Sequence, residues 1–120
     1  MKKTIIVLSA IGAATMAAPA AAKDIGYFCW VSEYRTTGGV NGGGRYLHHL
    51  SSRFAAPEGQ YETIAAAFLD AVKRRTPDLG TVRENRCTWS EDRADLDRSY
   101  EYRRTTYQKQ QLIEVDWTYR

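Results

Sequence analysis

The sequence predicts a small α+β domain, a two-layer sandwich in which two helices cover one face of a three- or four-stranded antiparallel or mixed sheet. Three segments have the aromatic and β-branched content, or the strict polar alternation, of strands, and two longer segments have the apolar spacing or the charge order of helices. They follow one another as strand, strand, helix, a short strand, helix, strand. Strands and helices that alternate irregularly in this way are typical of an α+β fold.

Residues 1–22 have the order of a secretory signal peptide. Lys2 and Lys3 precede an alanine-rich apolar stretch, Pro19 follows it, and three alanines end at Ala22. We expect cleavage after Ala22, which leaves one domain, 23–120, in the bacterial periplasm or outside the cell. We expect no stable membrane anchor after cleavage, because proline and polar residues interrupt the apolar stretch before it reaches the length of a membrane span.

The net charge of the domain is small. Removing the leader takes away Lys2 and Lys3 and no acidic residue, so the formal charge falls from +3 to +1. A nucleic-acid-binding surface needs a larger, clustered excess of basic residues. The composition therefore argues against nucleic acid as a partner.

Cys29 and Cys87 are the only cysteines of the chain. In an oxidising compartment an isolated pair is typically a disulfide. Such a link constrains the unfolded chain, by roughly 4 kcal/mol for a loop of this length in the chain-entropy model. A two-cysteine metal site is the alternative, but the pair lacks the CxxC spacing of such sites.

The first two predicted strands span 25–35 and 45–54. Because side chains alternate along a strand, the first strand has two apolar faces and is predicted to be central. In the second strand, Arg45, His49 and Arg53 share the face that we expect to be the wetter one. The two faces of the first strand carry Tyr27, Cys29 and Val31 on one side and Phe28, Trp30 and Tyr34 on the other.

The first helix is predicted to begin at Pro57 and Glu58 and to end with three basic residues, 73–75, before Thr76. Proline in the first turn loses no needed donor, and the charges at both ends complement the helix dipole. A short strand within 81–89 is expected to bring Cys87 to Cys29. The apolar stripe of the helix consists of Tyr61, Ile64, Ala65, Phe68 and Val72.

The second helix is predicted to start at a cap formed by Thr88 or Ser90 and to extend to Lys109. Acidic residues dominate its first half and basic residues its second half, as the helix dipole favours. Residues 112–119 then alternate between apolar and polar side chains and form the last predicted strand.

The segment TTGGVNGGGRYLHHL, residues 36–50, is rich in glycine. A phosphate-binding loop would continue into a helix, and here a strand follows. Asn41-Gly42 between two apolar strands indicates a hairpin turn instead. The predicted tip of this hairpin is a candidate contact for a partner, through Asn41, Gly42, Gly43, Gly44 and Arg45.

His48 and His49 are adjacent, so in a strand they point to opposite faces and cannot share a metal ion. No spacing supplies a third ligand, and no cofactor motif is present. A small hydrolase that uses either histidine with Glu114 or Asp116 is one hypothesis, because the two acids share a strand face. The simpler interpretation is that these acids mark the wet face of the last strand.

Aromatic residues suggest a different function. If the two helices cover one side of the sheet only, Phe28, Trp30 and Tyr34 form an open aromatic face that suits a partner or a glycan strand. If a helix or a loop covers that side, the three residues belong to the core. We expect a non-catalytic binding module for an envelope component or another exported protein. An inhibitor or immunity-type protein that acts through the glycine-rich hairpin is the alternative.

Overall fold

The computed structural model describes residues 23–38 and 42–120; the predicted signal peptide and Asn41 lie outside them. Within these residues, the small α+β fold with a mixed sheet, two helices and one disulfide is confirmed. The elements are β1 (Asp24–Thr36), β2 (Gly44–Ser51), β3 (Phe54–Pro57), α1 (Tyr61–Arg75), β4 (Thr81–Ser90), α2 (Arg93–Gln108) and β5 (Leu112–Val115).

Strand β1 is central, as its two apolar faces predict. Trp30 lies opposite Leu50 of β2 and also opposite Arg86 of β4, so these strands flank β1 on different edges. Strand β3 pairs with the start of β1, on the same edge as β2. Strand β5 runs parallel to β2 and completes a five-stranded mixed sheet, in which, among the described residues, β3, β4 and β5 each pair with one strand only.

The helices do not share one face of the sheet, so this part of the prediction is wrong. Tyr27, Cys29 and Val31 pack with α1 in one buried cluster, while Phe28 and Trp30 pack with α2 in another. The molecule therefore has a helix on each side of the sheet. The physical reason lies in β1, since a strand with two apolar faces needs a cover on both.

The α1 face holds the larger core. Ile64, Phe68 and Val72 recur along one side of the helix and are fully buried against the sheet. The disulfide lies in this core, because Cys29 and Cys87 are directly opposite each other in the β1–β4 register. The predicted covalent link is thus confirmed.

The region after β2 differs from the prediction. The alternation of residues 45–54 predicts a strand that continues through Phe54, but β2 ends at Ser51, and Phe54 begins β3 along the start of β1. Pro57 is the last residue of β3 and not the first of a helix. The helix begins only at Tyr61, after Gly59, whose φ of 86° turns the chain.

Three further boundaries differ. The short strand predicted within 81–89 is a ten-residue strand that pairs along β1, and it includes both Thr88 and Ser90, the expected caps. The cap of α2 is Asp92, whose side chain accepts a hydrogen bond from the Ala94 backbone N–H at 2.9 Å. The last strand stops at Val115, earlier than the alternation of residues 112–119 suggests.

Candidate functional site

A groove of about 590 Å³ lies between the outer strand β4 and the start of α1. The disulfide residue Cys87 and two small helix residues, Ala65 and Ala66, form its apolar lining, and Glu62 adds a carboxylate. Pockets that combine an apolar lining with a few polar groups are typical of ligand sites. The groove is therefore the first candidate for a functional site.

Two aromatic residues line the groove and are unusually exposed. The exposed fractions are 47 % for Trp89 and 41 % for Tyr61. Their rings stack on each other with centroids 4.8 Å apart and an interplanar angle of 23°. Trp and Tyr are enriched among the residues that contribute most to binding energy in protein interfaces, so a paired, exposed Trp and Tyr in a groove is a typical contact site.

The local sequence explains why these rings meet. Trp89 lies opposite Tyr27 in the β1–β4 register and shares the α1 face of the sheet with Cys87. Tyr61 is the first residue of α1, which passes over this part of β4. The disulfide fixes β4 to β1 at Cys87, two residues from Trp89, so the floor of the groove is rigid.

Asn85 adds a polar group to the same groove. Its Oδ1 atom is shielded from solvent and has no hydrogen-bond partner among the residues that the structure describes. A buried polar atom without a partner costs about 1–3 kcal/mol. A group with this cost beside a groove is a candidate contact for a bound molecule.

A second depression, of about 720 Å³, lies beside the start of α2. One of the two arginines that line it, Arg53, is 2.9 Å from Asp97 and lies over the Tyr100 ring at 4.4 Å. In the part of the chain that the structure describes, no strongly exposed aromatic residue lines this depression, so the groove is the better candidate.

The predicted aromatic face is closed. Phe28 and Trp30 are buried beneath α2, where Phe28 packs edge-on against Tyr100 and the Arg103 guanidinium lies 3.7 Å from the Trp30 ring centroid. The Trp30 indole N–H donates to Glu84 at 2.9 Å. Of the two alternatives for this face, the covered one is correct: the second helix occupies that side, so Phe28 and Trp30 belong to the core and are not open to a partner.

The other predicted contact residues lie at the end of the β1–β2 hairpin. Gly42, Gly43, Gly44 and Arg45 are exposed, and Tyr34 is half-buried against Tyr46. The hairpin predicted from Asn-Gly is present, since β1 and β2 pair antiparallel out to Thr36 and Gly44. Arg45 lies opposite Arg35, so its side chain is on the α1 face, whereas Tyr34 is on the α2 face. The structure does not bring these two side chains together.

His48 lies on the α2 face and is enclosed. Its Nδ1 is 2.7 Å from the Ser32 hydroxyl, its Nε2 contacts Gln110, and its ring stacks on Tyr107 at 3.7 Å. Burial lowers the pKa of His48 below its ordinary value, although the bond to Gln110 opposes that shift. Ser32 and His48 are hydrogen-bonded like a nucleophile and its base. Each is only 5 % exposed, however, so a substrate has no route to the hydroxyl in this conformation.

His49 lies on the opposite face, as strand alternation predicts. Its Nε2 contacts the carboxylate of Glu33, which is fully buried. That carboxylate also accepts bonds from Arg35 Nε at 2.7 Å and from the Gly80 backbone N–H at 2.7 Å. Burial raises the pKa of Glu33, but the bonds from Arg35, His49 and Gly80 outweigh it and lower the value to about 2. These four residues form a satisfied buried ionic cluster.

The acids of the hydrolase hypothesis lie elsewhere. Glu114 is in β5, opposite Leu50, and the backbone carbonyl of Asp116 accepts a bond from Arg75. Within the described residues, the recorded hydrogen bonds of both histidines go to other groups. The described residues also contain no cluster of three metal-ligating side chains, and no helix among them is long and apolar enough to cross a membrane.

Comparison with known proteins adds no family: no family model matches the chain, and neither a curated protein nor a solved structure matches it. The candidate site therefore depends on the geometry alone.

Sequence analysis missed the groove, although part of the signal was present. The helical spacing assigns Tyr61 to the apolar stripe of the first helix, but this residue lies in the first turn and stays largely exposed beside Trp89. The sequence pattern also places Trp89 near the start of the second helix. The alternation of Asn85, Cys87 and Trp89 would have placed all three on one face of a longer strand.

Proposed function

We propose that this protein is an exported binding module for an envelope component or another secreted protein, and that its partner is held in the groove between β4 and α1. The exposed Trp89–Tyr61 stack carries the proposal. Keeping two large aromatic rings exposed to water is unfavourable. A partner that covers the rings removes this apolar surface from water, which contributes favourably to the free energy of binding.

The compartment belongs to the same proposal. The signal-peptide pattern of residues 1–22 supports export, and the Cys29–Cys87 disulfide is the kind of link that persists in an oxidising compartment. An envelope component or an exported protein is a partner that the module meets there.

The remaining features of the groove fit recognition of a mixed polar and apolar ligand. Ala65 and Ala66 leave room beside the rings because their side chains are short. Glu62 adds a carboxylate beside the apolar lining. An apolar centre with a polar border is the usual anatomy of a protein interface.

The test is retention of a partner from an envelope extract on the immobilised protein. Trp89→Ala and Tyr61→Ala are expected to abolish retention while the far-ultraviolet circular dichroism spectrum stays unchanged, since both side chains are largely exposed. Tyr102→Ala is the matched control, because Tyr102 is 71 % exposed on α2, away from the groove. Loss of retention in the control alone, or equal retention by all variants, contradicts the groove as the binding site.

The hairpin offers a second candidate function, that of an inhibitor that inserts its tip into a target. The exposure of Gly42 to Gly44 at the end of β1 and β2 favours it. Replacing Gly42 and Gly43 with alanine is expected to weaken inhibition of a target hydrolase and to leave retention through the groove unchanged. Gly44 is kept in this test, because a side chain there would collide with the Tyr34 ring.

A further inference from the structure

Strand β4 has one edge that faces away from β1. Among residues 23–38 and 42–120, β4 pairs with β1 alone, so its other edge presents unpaired backbone N–H and C=O groups. Proteins protect such edges with charges and bulges, or they use them to bind another strand. The positions of the charged residues in β4 indicate whether its edge is protected or binds another strand.

Glu84 and Arg86 have opposite charges and are separated by one residue, Asn85. Glu84 lies opposite Ser32 and Arg86 opposite Trp30, so both side chains are on the α2 face of the sheet. Within one chain they are only loosely paired, at 3.4 Å, and the Arg86 side chain is 71 % exposed. Its guanidinium therefore has donors free for another carboxylate.

We propose that the β4 edge binds the β4 edge of a second copy of this chain. The two strands are antiparallel, and the two-fold axis passes midway between the Asn85 residues of the two copies. In this register Glu84 of each copy lies opposite Arg86 of the other, so the pairing forms two cross-strand ion pairs. A two-fold axis perpendicular to the sheet keeps each face on its own side, so the register must match residues of the same face. Interfaces of this kind, in which the same patch is used twice, are the commonest in oligomers.

The neighbouring registers are excluded by charge. An axis through Glu84 places the two Glu84 carboxylates opposite each other, and an axis through Arg86 does the same for two guanidinium groups. Like charges directly opposite each other destabilise a strand pair. Among the three registers centred on residues 84, 85 and 86, charge therefore favours the one centred on Asn85.

Asn85 supplies the second, independent observation. Its Oδ1 atom lacks a hydrogen-bond partner among the described residues. On the two-fold axis the two Asn85 side chains face each other on the α1 side of the sheet. Rotation about χ2 brings the Oδ1 of one amide to the Nδ2 of the other, which satisfies the group that the single chain leaves unpaired.

The irregularity of β4 does not prevent this pairing. Arg83 has no partner in β1, because the register shifts between Ser32 and Glu33. This bulge lies outside the three central residues, and it limits the length of the new strand pair. Both copies of α1 then lie on the same side of a continuous sheet, with their grooves next to each other. The inference does not depend on the proposed function.

The first test is the mass of the wild-type protein in solution. The full chain is expressed, its N-terminus is defined by mass spectrometry, and its mass is followed by sedimentation and light scattering at concentrations up to about 1 mM. The expected result is a reversible dimer. A single-chain mass across the whole range overturns the proposal.

The second test uses the fact that a residue on a two-fold axis meets itself. Asn85→Asp and Asn85→Lys each place like charges opposite each other, so each variant alone is expected to dimerise at least about tenfold more weakly than wild type. An equimolar mixture of the two is expected to regain the dimer, because Asp then faces Lys. Ser99→Asp and Ser99→Lys, on exposed positions of α2, are the matched controls and are expected to dimerise like wild type. A mixture that stays monomeric overturns the register.

The third test covers the case in which substitutions at Asn85 disturb the fold. Arg86→Glu changes a side chain that is 71 % exposed, and it places a carboxylate opposite Glu84 of the second copy, where the wild type has a guanidinium. The variant is expected to be a folded monomer, and a variant that dimerises as wild type does contradicts the ion pairs. If wild type is monomeric and Asn85→Asp instead loses an envelope partner, the edge belongs to that partner and the proposal is wrong. Trp89→Ala separates the two ideas, since it is expected to remove ligand retention and to leave the dimer.

Discussion

On the α1 side of the sheet, a helix with a regular apolar stripe closes over aliphatic and aromatic side chains, a disulfide and the buried Glu33 cluster. On the α2 side, a helix with only three buried residues, Leu96, Tyr100 and Tyr107, packs through rings, a guanidinium and an imidazole. The first side is closed mainly by apolar area, which is non-directional, and the Glu33 cluster is the part of it that responds to pH. The second side depends on directional contacts between polar groups and rings, so the effect of a substitution there depends strongly on which contact it removes.

The two candidate sites lie on different sides of the sheet. The groove lies at the margin of the well-packed side, where the disulfide gives Trp89 a rigid support. The enclosed Ser32–His48 pair lies on the other side, beneath Tyr107 of α2. A rigid margin with exposed rings suits binding, because little ordering of the protein is needed when the partner arrives.

The largest expected effect comes from the core of the α1 side. Phe68→Ala removes a fully buried ring and is expected to lower the free energy of unfolding by about 3–5 kcal/mol. Leu96→Ala, on the α2 side, is expected to lower the free energy of unfolding by about 2 kcal/mol. The loss is smaller because Leu96 belongs to the smaller buried cluster and lies near the start of α2. Urea unfolding followed by circular dichroism measures both. An equal or larger loss for Leu96→Ala would reverse the ranking of the two sides.

Removing the disulfide is the next largest change. The double variant Cys29→Ala, Cys87→Ala is expected to lose about 2–5 kcal/mol, because the unfolded chain gains freedom and the core loses a cross-link. A reducing agent is expected to destabilise wild type by a similar amount. As a control, the same agent is expected to have no effect on the double variant.

Acid is expected to act strongly on the α1 side through Glu33. The pKa of Glu33 in the folded protein is about 2, below its ordinary value, so its contribution is present above the unfolded-state pKa. It is lost as the pH falls from about 5 to about 2, and it amounts to roughly 3 kcal/mol. Glu33→Gln is expected to lack this part of the acid sensitivity.

The measurement for Glu33 is the difference between the unfolding free energies of wild type and Glu33→Gln at a series of pH values. That difference is expected to shrink toward low pH. A difference that is independent of pH means that the cluster of Arg35, His49 and Gly80 does not hold the carboxylate ionised.

The smallest expected effect concerns the α2 side. Ser32→Ala removes the bond at 2.7 Å and leaves the Nδ1 atom of the buried His48 without that partner. This loss is expected to cost about 1–2 kcal/mol at a pH of about 7.5. Ser99→Ala on the exposed part of α2 is expected to change stability by less than about 0.5 kcal/mol. Thermal unfolding compares the two. If Ser32→Ala is as stable as wild type, the imidazole is held by Tyr107 and Gln110 alone.

Much of the fold could be predicted because it depends on local patterns. The two apolar faces of β1 predicted a central strand, the Asn-Gly turn predicted the hairpin, and the stripe at Ile64, Phe68 and Val72 predicted α1. Strand β3 could not be predicted, because it continues the second strand in sequence and becomes separate only where it pairs with the start of β1. The full length of β4 was not predicted either. Its charged residues are typical of a loop, and its length is set by the hydrogen bonds that it makes with β1.

The candidate site shows the same division. Alternation predicted that His48 and His49 point apart, and the structure places them on opposite faces with different partners. For the aromatic face around Trp30 the sequence left two alternatives, open or covered, and in the structure the second helix covers it. No local pattern states which side of a sheet a helix will cover, because the path of the chain between elements decides that.

The sequence by itself determined the periodicities, the hairpin turn and the pairing of two lone cysteines, since these follow from side-chain geometry over a few residues and from the chemistry of thiols. Tertiary structure alone decided that one helix lies on each face, that Trp89 and Tyr61 meet in a groove, and that Glu33 is buried among Arg35, His49 and Gly80. These contacts join residues far apart in the chain. Their formation depends on how the whole molecule minimises exposed apolar area, and no short segment contains that information.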